Sequence, residues 1–299
     1  MPLLIITTVL WAFSFSLIGE YLAGHVDSYF SALVRVGLAA LVFLPFLRIA
    51  GQKFRVLALY MLVGALQLGI MYIFSFRAYL YLTVPEFLLF TIFTPLYVTL
   101  IYDLLSGRKL RWGYALSALL AVIGAAIIRY DKLSDHFLFG LLLVQLANLC
   151  FAIGMVGYKR LMELHPIPQH TAFSWFYLGA FLVTVIAWFM MGNSQHLPAT
   201  SLQWGVLVWL GVVASGLGYF MWNYGATQVD AGTLGIMNNV HIPAGLLVNF
   251  AIWQEQPDWP AFIVGGAVIL ASLWVHRRWV APRCAQTAGD RRHAAGPSE

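Results

Sequence analysis

Polar and ionisable side chains standing inside long apolar stretches are where this sequence can do chemistry. Arg77 and Glu86 lie on either side of a tight corner that contains Pro85. Opposite charges so placed either pair locally, which lowers the cost of burying the corner, or line an outward-facing cavity. In the second case Arg77 would meet an anionic ligand group. Arg35 sits a few residues inside the end of its own stretch. There it either anchors the helix by reaching the interface or offers a second cation to an anion. Asn238, Asn239 and His241 occupy three of four positions just ahead of Pro243, with Asn249 beyond. Such side chains are costly against lipid and are expected to point inward, either to neighbouring helices or to a substrate. His241 and Glu86 are also candidate proton carriers; the unperturbed pKa of histidine is close to physiological pH. Trp11, Asn223 and Tyr224 complete the candidate site, the aromatics covering apolar ligand parts and the amide bonding to polar ones. Each aromatic has a bland alternative as helix packing or an interfacial belt.

Bond-making chemistry has no comparable signature. There is no HExxH, no GxSxG and no carboxylate pair within one apolar stretch, so an intramembrane enzyme is not indicated. No GxxxxGK[ST] loop is present, so the chain itself implies neither ATP-driven action nor an ATPase partner. The two cysteines, Cys150 and Cys284, cannot form a disulfide framework, and the eight histidines lack metal-ligand spacing. No cofactor is expected.

The elements that must position these residues are spanning helices. The chain is 61% hydrophobic and 10% charged, which excludes an ordinary soluble domain. Crossing the hydrocarbon takes about 20 mostly apolar residues. Ten stretches qualify, near 2–22, 29–47, 57–80, 83–105, 112–129, 137–158, 169–191, 202–222, 231–253 and 259–276. They are long, continuous and rich in Leu, Ala and Gly, so spanning α-helices are expected rather than a barrel. The first lacks a basic flank and a cleavage site and reads as an uncleaved helix. Asn148, Gly154 and Gly157 in one stretch, and Gly211, Ser215, Gly216 and Gly218 in another, read as small or polar packing faces. The tail over 281–299 reads as disordered and cytoplasmic.

The net charge of +5 does not point to nucleic acid, because its distribution follows the lipid bilayer. Thirteen of the seventeen basic residues fall after the second, fourth, sixth and tenth stretches, while only Arg129 and Lys132 flank the other side. The positive-inside rule then places both termini of a multi-pass membrane protein in the cytoplasm.

The chain also repeats itself. FRAYLYLTVPEFLLFTIFTPLYVTLIYDLL is echoed by NYGATQVDAGTLGIMNNVHIPAGLLVNFAIW; Pro95 answers Pro243, and Ala121–Ala125 answers Ala267–Ala271. Five helices per copy is an odd number, so the halves, 1–130 and 137–278, must be inverted relative to each other. An interior proline removes a backbone hydrogen bond, and threonines 91, 94 and 99 surround Pro95. Symmetric interruptions at Pro95 and Pro243 point to a transport site near the midplane and to alternating access. A receptor or scaffold would have no use for that geometry. The expected fold is therefore all-α and integral to the membrane, ten helices in two inverted five-helix repeats.

Taken together, the ten stretches, the Trp-containing first helix, the Arg near the start of the second and the correspondence between the fourth and ninth resemble the EamA-type branch of the drug/metabolite transporter superfamily. The segments LLIITTVLWAFSFSLIGEYLAGHVDSYF, LVRVGLAALVFLPFLR and VVASGLGYFMWNYGATQVDAGTLGIMNNVHIPAGLLVN resemble more closely its biotin-importing branch. That resemblance implies a secondary transporter taking up biotin; export of amino acids or other small metabolites is the alternative. Biotin carries a carboxylate for Arg77 or Arg35, a ureido ring for Asn223, Asn238 and Asn239, and apolar parts for Trp11, Trp222 and Tyr224. The same residues would serve other carboxylates. Proton symport and facilitated diffusion are both open.

Overall fold

The computed structural model describes residues 2–49, 51–105, 135–229 and 244–254, with scattered positions elsewhere. Among these residues all regular structure is helical. Seven helices are long and apolar enough to cross a membrane. They are α1 (Pro2–Tyr21), α2 (Ser28–Phe46), α3 (Phe54–Ala78), α4 (Val84–Tyr102), α5 (His136–Leu164), α6 (Gln169–Met191) and α7 (Ser201–Thr227). A shorter helix, α8, covers Ala244–Trp253. Most of the stretches expected near 112–129 and 231–253, half of that near 259–276, and the tail lie outside the described residues, as do Asn238, Asn239, His241 and Pro243.

Packing divides the chain into two units, Met1–Val98 with Ser134–Glu255, and Thr99–Leu133 with Gln256–Glu299. In the second, Thr99–Leu105 is the described helical segment, the end of the helix that begins at Thr94. All that follows concerns the first unit.

Local chemistry sets the helix ends. Asp27 caps α2: its Oδ1 accepts from the N–H groups of Tyr29 and Phe30, each at 2.9 Å. Its other oxygen accepts from Asn193 N–H at 3.2 Å, and its own N–H donates to the His196 carbonyl at 2.7 Å. One carboxylate therefore starts a helix and also fastens the distant α6–α7 loop. At the start of α7, Thr200 and Gln203 exchange hydrogen bonds in a capping box.

Helix packing rests on small residues, because lipid removes the hydrophobic drive between helices and close approach must replace it. The axis is α6, which packs against both α2 and α3. Gly64 of α3 abuts the backbone carbonyl of Phe176, and Gly179 of α6 abuts that of Met61; a Cβ at either position would overlap the carbonyl oxygen. Gly154 of α5 lies against Gln67 of α3 in the same way. Outward faces carry large apolar side chains such as Ile5, Val9, Ile186 and Phe189, a surface suited to acyl chains rather than water.

Several of these helices depart from α geometry. Ala65–Ile70 in α3, Leu210–Leu217 in α7 and Asn249–Trp253 in α8 are π-turns. In α4, a 3₁₀ turn at Thr91–Phe93 separates Val84–Phe90 from Thr94–Leu105. Such irregular turns leave carbonyls without their helical donors and often mark functional sites. The 3₁₀ turn borders the cavity described next, and the π-turn in α7 braces two of its lining residues, Trp11 and Arg35.

Candidate substrate cavity

The fourth helix breaks just ahead of Pro95. A helical proline cannot donate to the carbonyl four residues back, here Thr91. The Thr94 hydroxyl donates to that carbonyl instead, at 2.7 Å. The Phe90 carbonyl is taken by the Asn148 side chain of α5 at 2.9 Å and, more weakly, by Gln145 at 3.4 Å. Thr94 also donates to Asn148 Oδ1 at 3.3 Å. Both routes for re-satisfying an interrupted helix are used here, a local threonine and a neighbouring helix. Asn148 thus holds the break open.

The π-turn in α7 does the corresponding work on the opposite wall. The Ala214 carbonyl accepts from Trp11 Nε1 at 2.9 Å, and the Ser215 carbonyl from the Tyr177 hydroxyl at 2.7 Å. The Ser215 hydroxyl lies 2.6 Å from Arg35 Nε, which donates to it, and 2.7 Å from the Tyr72 hydroxyl. The Arg35 guanidinium lies over the Tyr72 ring at 4.1 Å from its centroid. A serine on a small-residue face thereby fixes the direction of a buried cation.

Between these walls is a cavity that is partly open to solvent. Trp11 and Phe15 of α1, Arg35 of α2, Tyr72 of α3 and Tyr79 just beyond its end, and Phe151 of α5 account for most of its character, with Tyr219, Phe87, Thr91 and Asn148 around them. Its walls are aromatic: Trp11 is 4.7 Å from Tyr219, and Tyr79 stacks on Phe87 at 4.3 Å. Among the described lining residues Arg35 is the one ionised side chain, only 4% exposed, and none is acidic. An aromatic cavity with few polar groups and one oriented cation suits binding of a small amphipathic anion.

The site residues named from the sequence separate clearly. Trp11 and Arg35 line the cavity. Arg77 does not: it is half-buried, with its guanidinium over Tyr29 at 5.7 Å. Glu86 is buried at the helix start, where its carboxylate accepts from the Thr83 N–H at 2.9 Å. Asn223 is fully buried and exchanges two hydrogen bonds with Gln67, at 2.9 and 3.1 Å. Tyr224 is on an exposed face. Nothing in the sequence singles out Tyr79 or Phe87 as site residues, and Asn148 and Ser215 read there as packing. The position of Asn148 one helix away from an interior proline could have marked it.

Two expectations follow. Arg77→Ala should leave substrate affinity within about twofold, because its charge is outside the cavity and near-surface charges contribute little; binding to the purified variant checks this. Asn223→Leu should lower stability by about 1 kcal/mol through the stranded Gln67 amide. The double change of Gln67 and Asn223 to leucine should cost less than the two single changes summed, as a thermal-denaturation cycle would show.

A helical bundle enclosing such a cavity is the architecture of a membrane carrier. The chain belongs to the EamA-like transporter family, whose sequence model matches residues 1–130 and again 138–277. It is 76% identical to the "Biotin transporter" of Escherichia coli strain K12 over all 299 residues of both chains. It is 57% identical to the "Probable biotin transporter" of Pseudomonas aeruginosa, covering 93% of this chain and 97% of that one. A solved crystal structure aligns with a TM-score of 0.66 at 18% identity, over 91% of this chain and 95% of that chain, which speaks to the fold alone.

Proposed function

We propose that this protein is a secondary transporter that brings biotin across the bacterial cytoplasmic membrane by alternating access. The observation that carries the reading is Arg35, a buried cation in an aromatic cavity with no acidic residue among the described lining. Removing such a charge from water costs several kcal/mol. The Ser215 hydroxyl and the Tyr72 ring offset only part of it, the cation–π contact by about 2 kcal/mol. A ligand carboxylate supplies the missing counter-charge through a charge-assisted bond. The aliphatic chain of biotin then lies along Trp11, Phe15 and Phe151. The two full-length relatives that bear the name of biotin transporters support this choice among carboxylates.

The architecture in this reading has ten spanning helices in two inverted five-helix repeats, 1–130 and 137–278, with a cytoplasmic tail at 281–299. The double match of the family model supports the repeat, and the odd helix number per repeat requires the inversion. Basic loops put both termini in the cytoplasm. Phe15 near the end of α1, Tyr79 beyond the end of α3 and Phe87 near the start of α4 then place the cavity towards the outside. The Gln67–Asn223 pair, and the Tyr60 hydroxyl donating to the His165 carbonyl at 3.0 Å, close the path towards the cytoplasm. These contacts must part when the carrier turns inward.

Uptake of labelled biotin by cells unable to synthesise it, with and without this gene, tests the proposal. Saturable, gene-dependent uptake is expected. Its absence, with the protein present in the membrane, would overturn the biotin reading. Sensitivity to an uncoupler separates proton symport from facilitated diffusion.

A further inference from the structure

We infer that Tyr79 is a specificity-determining residue whose hydroxyl recognises the ureido head of the substrate. The inference rests on the biotin reading above. Tyr79 lines the cavity and is 6% exposed, yet its hydroxyl has no hydrogen-bond partner. Among the described residues three other buried side-chain atoms share that condition, those of Ser31, Trp222 and Asn249, and none of their residues lines the cavity. The small hydroxyls around Tyr79 are already committed. Ser14 donates to the Leu10 carbonyl at 3.2 Å and Thr91 to the Leu88 carbonyl at 2.7 Å. Tyr79 alone among these keeps both its proton and its lone pairs for a ligand.

Its position matches a substrate with two polar ends. Tyr72, under the Arg35 guanidinium, and Tyr79, which caps the same helix, are seven residues apart, about 10 Å in backbone rise. A carboxylate held at Arg35 leaves the rest of the ligand to run along the wall that Tyr79 lines. A ureido group presents both N–H donors and a carbonyl acceptor, and a phenol can answer either. The ring itself is held by stacking on Phe87, with an interplanar angle of 16°. Phe87 lies on the short segment Val84–Phe90, bounded by the Thr83 cap and the 3₁₀ turn Thr91–Phe93. Presenting the hydroxyl requires that stack to part, and the 3₁₀ turn at Thr91–Phe93 is the irregular backbone beside it.

The test is Tyr79→Phe, which keeps the ring and its stacking and removes one oxygen. Binding of biotin to the purified full chain is compared with binding of lipoate, a carboxylate of similar chain length with a ring that lacks the ureido group. We expect biotin affinity to fall about tenfold, the scale of one lost buried hydrogen bond. Lipoate affinity and thermal stability should be unchanged, so that discrimination between the ligands falls by the same factor. Unchanged biotin affinity would overturn the inference. So would an equal loss of both ligands, which would mark a structural role. A wild-type protein that binds no biotin would overturn the transport reading and this inference with it, whereas wild-type binding with an indifferent Tyr79→Phe would overturn this inference alone.

Discussion

Arg35→Met should abolish transport while leaving the empty protein as stable as the wild type or more so. The two effects have opposite signs because the charge serves the ligand rather than the fold. In the empty cavity Arg35 is 4% exposed, with Ser215 Oγ at 2.6 Å and the Tyr72 ring at 4.1 Å as its contacts. Replacing a buried, incompletely compensated charge by an apolar side chain of similar length is often neutral or stabilising, by about 1–4 kcal/mol. Removing the partner of a ligand carboxylate costs about 2–5 kcal/mol. Uptake at limiting substrate should therefore fall at least about a hundredfold. Arg35→Lys should rescue little, because the planar guanidinium is what both stacks on Tyr72 and keeps an N–H for Ser215. Uptake measured beside the melting temperature of the purified variants reads both signs. A variant that loses uptake only because it no longer folds would contradict this account of Arg35.

The largest structural effect is expected at the crossing of α3 and α6. Gly179→Leu should destabilise the bundle by about 3 kcal/mol or more and prevent its accumulation in the membrane. Its Cβ would overlap the Met61 carbonyl oxygen, and one turn along, Gly64 meets the Phe176 carbonyl in the same way. Neither carbonyl can move aside, since each belongs to helix backbone. The helices would have to separate, opening contacts along α2 and α3 together. Gly205, whose added Cβ would meet nothing within 4 Å, is the control: Gly205→Ala should accumulate normally. Quantifying each variant in isolated membranes decides the matter.

Much of this architecture was legible in the sequence. Apolar runs located the described spans to within a few residues; 57–80 corresponds to Phe54–Ala78 and 169–191 to Gln169–Met191. The proline rule also located the break in α4, and it anticipated that a threonine and a neighbouring helix would fill the vacated acceptors. The site was less legible. Arg77 and Arg35 are equivalent as types, and only the packing of helices distant in sequence tells which one faces the cavity. Asn223 has the chemistry of a ligand contact but is consumed by Gln67, 156 residues away. Ser215 reads in the sequence as part of a packing face; that it meets the Arg35 side chain depends on residues 180 positions apart in sequence. Tyr79 is a conventional aromatic in sequence; its significance lies in a hydroxyl without a partner, which no local pattern encodes.

The most direct measurement is competition for labelled biotin by two analogues, one altered at each end, on the purified protein in liposomes. The account predicts saturable, carrier-dependent uptake of biotin, and it predicts that biotin carboxamide, uncharged at the chain end, competes at least about a hundredfold more weakly than biotin because nothing is left to pair with Arg35. Desthiobiotin, which keeps the carboxylate and the ureido group, should compete well. Equal competition by biotin and its carboxamide would contradict the role given to Arg35, and with it the mechanism built on that buried charge.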